Sequence, residues 1–253
     1  MSLRLKDKVV IVTGSSRGIG KACAIHCAQA GAKVVVNYVA NESAAHNTVE
    51  QIKSMGGQAI SVQANVSNKK DVERLVGETI KVFGKITGLI NNAGVAPFVD
   101  FIEMDETTWD HTMAINAKGL FLTTQAVARE MIKAGKGGRI CNITSISGVK
   151  ATNELQVPYC TSKGAANMFT KVAALALAKY NITVNAILPG TIETDINRDI
   201  LNQPGCRDKI INATPLKCLG DVDDIAHAAV YFMSDESKWV TGSLLVIDGG
   251  YIV

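Results

Sequence analysis

A tyrosine and a lysine stand four residues apart in the segment Tyr159-Cys160-Thr161-Ser162-Lys163. On a helix this spacing places both side chains on one face. A phenol ordinarily titrates near about pH 10, and a neighbouring ammonium group lowers that pKa by favouring the phenolate. The pair is therefore suited to proton transfer, although the same spacing also occurs on exposed helix faces that carry no chemistry.

Two further polar residues favour the chemical interpretation. Ser145 follows a predicted strand and precedes Tyr159 by fourteen residues. The carboxyl ends of parallel strands are where open α/β sheets hold ligands, so its hydroxyl can hold a substrate oxygen against the phenol. Asn116 lies inside a predicted long helix, where asparagine has poor propensity. It is either a solvated polar residue or a part of the same site.

A glycine-rich turn follows the first predicted strand, in the segment Gly14-Ser15-Ser16-Arg17-Gly18-Ile19-Gly20. Glycines at such a turn let the backbone bend sharply and approach a pyrophosphate closely. The helix that begins there offers free N–H groups and the positive end of its dipole to phosphates. The strand–turn–helix context predicts a nucleotide site, whereas glycine alone can also end a strand for structural reasons.

Short β-branched runs alternate with helical patterns along the chain, which predicts a parallel α/β sheet. We expect a single-domain, Rossmann-type doubly wound sheet of about seven parallel strands flanked by helices, spanning residues 1–253. Residues 191–218 are less regular than an ordinary connection and are predicted to form a substrate loop. The predicted strands are 8–13, 33–38, 58–62, 88–91, 138–144, 183–188 and 244–247, and the predicted helices are 18–30, 42–55, 69–83, 108–134 and 157–180.

Composition restricts the classes of function. The net charge of +3 over 253 residues gives no indication of nucleic-acid binding. No apolar run approaches the roughly 18 residues of a membrane span, and the polar start offers no secretory signal, so we expect a cytoplasmic protein. Six cysteines without a CxxC pair indicate reduced thiols. Cys23, His26 and Cys27 share one predicted helix, where helix packing is favoured over a metal site.

These motifs together resemble the short-chain dehydrogenase/reductase family. The resemblance covers nearly the whole chain and includes the glycine turn, the Ser145, Tyr159 and Lys163 set, and the chain's end. It also includes Asn91-Asn92-Ala93-Gly94 after the fourth strand and Pro189-Gly190 after the sixth. It implies an oxidoreductase that interconverts an alcohol and a carbonyl by hydride transfer to or from a nicotinamide nucleotide.

The resemblance also implies a role for each site residue. Ser145 positions the substrate oxygen, and Tyr159 exchanges its proton. Lys163 lowers the pKa of the tyrosine and holds the nicotinamide ribose, and Asn116 holds a water that relays protons. The implied cofactor contacts are Gly14, Ser16, Arg17, Gly18, Ile19, Gly20, Asn37, Asn65, Val66, Asn92, Ala93, Gly94, Tyr159, Lys163, Pro189, Gly190, Ile192 and Thr194.

The residues near the ribose favour NADP(H), with NAD(H) as a possible second cofactor. Sites that prefer NAD place an acid after the second strand to bond the ribose 2′-hydroxyl. Here that strand ends in Asn37-Tyr38. Arg17 can reach a 2′-phosphate, unless it is simply a solvated arginine. The acidic residue that the family places near adenine is Asn65 here.

Two substrate classes are compatible with the sequence. Residues 95–98, Phe101 and residues 190–197 are similar to sugar 1-dehydrogenases of the L-rhamnose type, in which Asn153, Glu154 and Thr191 would bond hydroxyls. Residues 192–195 and the segment around Pro215-Leu216 are also similar to 3-oxoacyl-carrier-protein reductases. A silent nucleotide-binding scaffold is a third alternative. Family resemblance further implies a homotetramer, in which Phe121, Met168, Phe169 and Val172 either pair subunits or fill the core.

Overall fold

The computed structural model describes residues 3–253. Seven parallel strands form one sheet in the order β3-β2-β1-β4-β5-β6-β7. The order reverses between β1 and β4, which makes their carboxyl ends a topological switch point where doubly wound sheets bind ligands. The predicted fold class is confirmed. The strands are β1 (Val9–Val12), β2 (Lys33–Tyr38), β3 (Gln58–Gln63), β4 (Gly88–Asn91), β5 (Gly138–Ile143), β6 (Ile182–Pro189) and β7 (Leu244–Ile247).

Helices cover both faces of this sheet, and the central strands β1, β4, β5 and β6 are buried along their whole length. Continuous apolar runs such as Val9–Val12 follow from burial on both sides. The helices are α1 (Gly18–Gln29), α2 (Glu42–Ser54), α3 (Lys69–Phe83), α4 (Glu106–Met113), α5 (Leu120–Ala134), α6 (Val157–Leu177), α7 (Arg198–Leu201), α8 (Cys206–Ala213) and α9 (Val222–Met233).

The long helix predicted over residues 108–134 is not regular. A π-helical segment, Ala114–Gly119, separates α4 from α5. Such segments carry one extra residue per turn and often occur at functional sites. The apolar periodicity on either side resembles that of one α-helix, so the pattern did not indicate the interruption.

Helix α9 was not among the predicted elements. Asp221 and Asp224 form a capping box at its start. Its apolar face packs against α1, where Cys23 and Cys27 are fully buried in the core. Burial raises the pKa of the Cys23 thiol to about 12, which disfavours the thiolate that a metal would need. The helix-packing interpretation of these cysteines is confirmed.

The predicted substrate loop contains the short helices α7 and α8 rather than continuous irregular chain. Exposed ion pairs connect residues within this loop, and the pair of Asp195 with Arg17 connects the loop to the glycine turn. Glu193 pairs with Arg207 at 2.8 Å, and Asp195 pairs with Arg198 at 2.7 Å. Its residues 194–195 lie over the start of α1, at the carboxyl edge of the sheet.

Candidate active site

Tyr159, Lys163 and Ser145 come together at the carboxyl end of β5. Helix α6 begins two residues before Tyr159, and the four-residue spacing brings the Lys163 Nζ atom to 5.6 Å from the centre of the phenol ring. The same ammonium donates to the backbone carbonyl of Ile143 at 2.9 Å. Ser145 Oγ accepts a hydrogen bond from the backbone N–H of Ser147 at 3.0 Å, which orients the hydroxyl.

Burial dominates the titration of this pair. It lowers the pKa of Lys163 from 10.5 to about 8, because the ammonium loses hydration. It also raises the pKa of Tyr159, and hydrogen bonding from Ser145 only partly opposes this. The sequence predicted that Lys163 lowers the pKa of Tyr159, but in this structure burial raises that pKa. The free-energy cost of burying a phenolate is larger than the stabilisation from the Ser145 hydrogen bond, so the pKa of Tyr159 stays above its ordinary value.

Asn116 lies in the π-helical segment, and its side-chain amide is fully engaged. Its Oδ1 accepts from the backbone N–H of Val95 at 2.9 Å, and its Nδ2 donates to the Val95 carbonyl at 2.9 Å and to Ser162 Oγ at 3.0 Å. These bonds join the loop after β4 to helix α6. A cavity of about 10 Å³, the size of one water, is lined by Asn116, Lys163 and Thr13.

The glycine turn forms a tight cradle at the start of α1. Gly14 has a φ of +60°, and a Cβ atom on it would lie 2.9 Å from the Cα of Ala93. A Cβ atom on Gly20 would lie 2.4 Å from Asn92 Nδ2, which donates to the carbonyls of residues 13 and 14. Arg17 precedes the helix without a side-chain cap, so the first N–H groups of α1 remain available to a phosphate.

Asn37 requires a correction. It was predicted to face the ribose, but it lies within β2 and is only 1% exposed. Its Oδ1 accepts from the backbone N–H of Gly14 at 3.1 Å, and its Nδ2 donates to the carbonyls of Val62 and Ala64 at 3.3 and 2.9 Å. The amide therefore holds the glycine turn onto the sheet. Residues 39–43 are the exposed ones after β2, and the acidic one among them is Glu42, the first residue of α2.

Other residues that were predicted to contact the cofactor also make hydrogen bonds or packing contacts within the protein. Asn65 Oδ1 accepts from the backbone N–H and the hydroxyl of Ser67, at 3.0 and 2.8 Å. Val66 is buried and lines the same small cavity as Asn116. Ala93 donates its backbone N–H to Thr13 Oγ1 at 3.0 Å, which keeps the segment after β4 against the glycine turn.

The segment after β6 approaches the glycine turn from the opposite side. Gly190 allows it to pass Asp248, whose Cα atom would lie 2.7 Å from a Cβ at this position. Thr194 Cγ2 lies 3.5 Å from where a Cβ atom of Gly18 would stand. Arg17 Nη1 reaches Asp195 at 3.4 Å. The glycine turn and the segment after β6 thus face each other at the carboxyl edge of the sheet, and the cleft between them is the predicted cofactor site.

A cavity of about 180 Å³ lies next to this cleft, and both Ser145 and Tyr159 line it. Of the residues predicted to bond a sugar, Asn153 and Thr191 line this cavity. Glu154 is exposed and is not among its lining residues. Phe101 is likewise exposed, whereas its neighbours Ala96 and Phe98 belong to the lining.

Sequence reasoning missed four polar or aromatic members of the cavity wall, which are Ser147, Thr152, Gln156 and Tyr251. Tyr251 comes from the segment after β7, and no local pattern relates it to residues a hundred positions earlier. Gln156 directly precedes α6 and stands three residues before Tyr159, so its closeness in sequence to the tyrosine was the available signal.

Comparison with known proteins agrees with this geometry. A family model described as enoyl-(acyl carrier protein) reductase matches residues 14–252. An L-rhamnose 1-dehydrogenase (NAD(P)(+)) of Azotobacter vinelandii is 39% identical over 98% of both chains. A 3-oxoacyl-[acyl-carrier-protein] reductase of Synechocystis is 38% identical, again over 98% of both.

Solved structures agree as well. The crystal structure of a gluconate 5-dehydrogenase from Burkholderia cenocepacia, in complex with NADP and tartrate, has a TM-score of 0.93 at 33% identity. The alignment covers 98% of this chain and 96% of that one. With its fold, motifs and relatives in agreement, the chain belongs to the short-chain dehydrogenase/reductase family and is an oxidoreductase of that family.

Proposed function

We propose that the protein oxidises an aldose at C1, with NADP(H) as the preferred nicotinamide nucleotide and NAD(H) as a second. The observation that carries this proposal is the cavity of about 180 Å³ in which Ser145 and Tyr159 share one wall. A hydroxyl donor and a proton-transferring phenol on one wall suit an alcohol or carbonyl oxygen held between them.

The cleft beside this cavity fits a dinucleotide. Gly14 and Gly20 leave room that a Cβ atom would fill, and the uncapped start of α1 offers N–H groups to the pyrophosphate. The residues proposed to hold the cofactor are those predicted from the sequence, with Asn37 acting indirectly by fixing Gly14. When bound, the nicotinamide supplies or accepts the hydride.

The chain's own residues manage the proton. Ser145 holds the substrate oxygen, and Tyr159 accepts the alcohol proton during oxidation or returns it to the oxygen during reduction. The Lys163 ammonium lies 5.6 Å from the centre of the phenol ring, so its positive charge would offset part of the cost that burial imposes on the phenolate. The small cavity between Lys163 and Asn116 is the place where we propose the relay water. It would connect the buried ammonium towards solvent.

The sugar assignment rests on relatives and on the cavity wall. Relatives named L-rhamnose 1-dehydrogenase occur in Azotobacter vinelandii and in a Sphingomonas strain, at 39% and 37% identity. Asn153 and Thr191 contribute polar groups to the wall, which suits a substrate with several hydroxyls.

A 3-oxoacyl-carrier-protein reductase is the second candidate, supported by the Synechocystis relative and by the family model's description. Apolar residues such as Ile200 and Leu201 also line the cavity and would suit an acyl chain. The end of α6, where an acidic carrier would dock, offers Lys179, whose Nζ lies over the ring of Tyr180. A silent scaffold is disfavoured because Ser145, Tyr159 and Lys163 are all in place.

A substrate panel tests the proposal. L-rhamnose, D-glucose and other aldoses are assayed with NADP⁺ and NAD⁺, beside a β-ketoacyl thioester and simple ketones with NADPH. We expect the highest kcat/KM with an aldose. A higher kcat/KM with the thioester would favour the second candidate, and cofactor binding without any turnover would favour a scaffold.

Arg17 tests the cofactor preference. Arg17→Gln removes the charge that would face a 2′-phosphate, so we expect the KM for NADP⁺ to rise about tenfold. The KM for NAD⁺, which lacks that phosphate, is the control and should change less than about twofold. An equal change for both nucleotides would show that Arg17 does not recognise the phosphate.

We also propose a homotetramer located in the cytoplasm. Met168 and Val172 are 60% and 57% exposed on α6, and Phe121 is exposed on α5, which suits subunit pairing. Phe169 instead packs against the core. Between residues 3 and 253 no helix is long and apolar enough to cross a membrane. Light scattering would give the subunit count.

A further inference from the structure

The polar groups of the substrate cavity differ in how much hydrogen-bonding capacity they have left. The hydroxyls of Ser147 and Thr152 bond each other at 2.7 Å. Asn197 accepts from the backbone N–H of Thr194 and donates to the carbonyl of Ile192, each at 3.0 Å. These side chains are already occupied by the protein.

Gln156 is different. It is 9% exposed and lines the cavity, yet its side-chain amide makes no hydrogen bond to any residue in the described range 3–253. It stands at the position that precedes α6, but its side chain does not cap the helix. Asn153 and Thr191 also line the cavity, but they are half-buried and water can reach them. The amide atoms of Gln156 are not among the fully buried polar atoms of the described residues, so they open onto the cavity, where a ligand can bond them.

The chemistry of the amide indicates what it meets. A primary amide offers both donors and an acceptor, and a hydroxyl group uses both in return. Gln156 directly precedes α6, and its side chain lines the same cavity as Tyr159. The group that it bonds is therefore close to the carbon that reacts at Tyr159.

We infer that Gln156 is a specificity-determining residue that binds a hydroxyl on the carbon next to the reacting one. The preferred substrates are then aldoses or hydroxyketones that carry this neighbouring hydroxyl, and analogues without it are poor substrates. The inference rests on the proposed function, because it takes Tyr159 as the proton-transferring group.

The test compares substrates that differ only in this hydroxyl. The pairs are L-rhamnose with 2-deoxy-L-rhamnose and D-glucose with 2-deoxy-D-glucose for oxidation, and hydroxyacetone with acetone for reduction with NADPH. Each pair is measured on the wild-type protein and on Gln156→Met, which keeps the side-chain volume but removes the amide. Gln51→Met, on the exposed face of α2, is the matched control.

We expect the wild type to favour the hydroxylated member by about 10- to 100-fold in kcat/KM. Gln156→Met should reduce that ratio to within about threefold by lowering kcat/KM for the hydroxylated member only, while Gln51→Met keeps the wild-type ratio. Because the amide has no protein partner, Gln156→Met should also melt no lower than the wild type.

The outcomes separate this inference from the proposed function. If the wild type turns over none of these pairs, both are overturned. If it turns over one or more pairs but Gln156→Met leaves the ratio unchanged, or lowers both members equally, only the role of Gln156 is overturned. A marked loss of thermal stability in Gln156→Met would assign the amide a structural role instead.

Discussion

The two sides of the cofactor cleft are held in different ways. On one side, the glycine turn is fixed by part-buried hydrogen bonds, in which Asn37 accepts from the N–H of Gly14 and Asn92 donates to its carbonyl. On the other side, the substrate loop is held by exposed ion pairs, among them Arg17 with Asp195 and Glu193 with Arg207. Buried amides lose much when a partner is removed, whereas exposed ion pairs contribute little. The comparison suggests a rigid side that serves the cofactor and an adjustable side that serves the substrate.

The largest effect is expected where the rigid part of the site carries the chemistry. Tyr159→Phe keeps the ring but removes the exchangeable proton, so kcat should fall by about 10³-fold or more. Cofactor affinity, measured by nucleotide fluorescence, should change little because the glycine turn is untouched. Near-normal turnover by this variant would remove Tyr159 from the mechanism.

The next largest effect tests the rigid side directly. Asn37→Asp places a buried carboxylate against the carbonyls of Val62 and Ala64, where the amide now donates. We expect the free energy of unfolding to fall by about 2–4 kcal/mol rather than a clean change to NAD preference. Asn41→Asp is the control, since Asn41 caps α2 on the surface and aspartate caps equally well. Equal stability of the two variants, followed by denaturant unfolding, would contradict the role given to Asn37.

Burial of Lys163 makes the stability of the folded protein depend on pH. Its pKa is about 8 in the folded protein and 10.5 in its ordinary state. The unfolded chain therefore binds the proton more strongly, and the stability of the folded state should rise between about pH 8 and pH 10.5. At about 1.4 kcal/mol per pKa unit, this gain is at most about 3.5 kcal/mol.

Lys163→Met removes the titrating group while keeping a similar chain length. Its stability should lack the rise seen in the wild type, and at pH 7 it should unfold at the same temperature or higher, even though activity is lost. Parallel pH profiles of unfolding for the two proteins would show that burial of Lys163 costs no stability.

The smallest effect belongs to the adjustable side. Asp195→Asn removes exposed pairs with Arg17 and Arg198, so the melting temperature should change by less than about 2 °C. Because the loop then closes less firmly, we expect the KM for the substrate to rise about two- to fivefold while kcat changes less. A stability loss as large as that of Asn37→Asp would erase the difference between the two sides.

Local patterns were sufficient to predict the sheet and the proton-transferring pair. Short apolar and β-branched runs predicted all seven strands, and in the four central strands these runs reflect burial on both faces. The four-residue spacing of Tyr159 and Lys163 predicted their shared face on α6. These features depend on residues that are close in sequence.

Features that depend on distant partners could not be predicted in this way. Asn37 was predicted to contact the cofactor because it lies near the end of the second strand, but the segment from β3 to Ala64 and the glycine turn enclose it from two sides. Tyr251 reaches the cavity from the far end of the chain. The raised pKa of Tyr159 arises from burial by the whole fold, which no spacing encodes.

The π-helical segment Ala114–Gly119 determines which neighbours α4 and α5 contact. An α-helix turns about 100° per residue, so one extra residue in a turn rotates the side chains of all later residues about the helix axis. Helix α4 accordingly packs against α6, while α5 packs against α3. Deleting a single residue from this segment would restore a regular α-helix and rotate the Asn116 side chain away from Val95 and Ser162. The register of one turn thus lets consecutive helices contact α6, which carries Tyr159, and then α3 on the same face of the sheet.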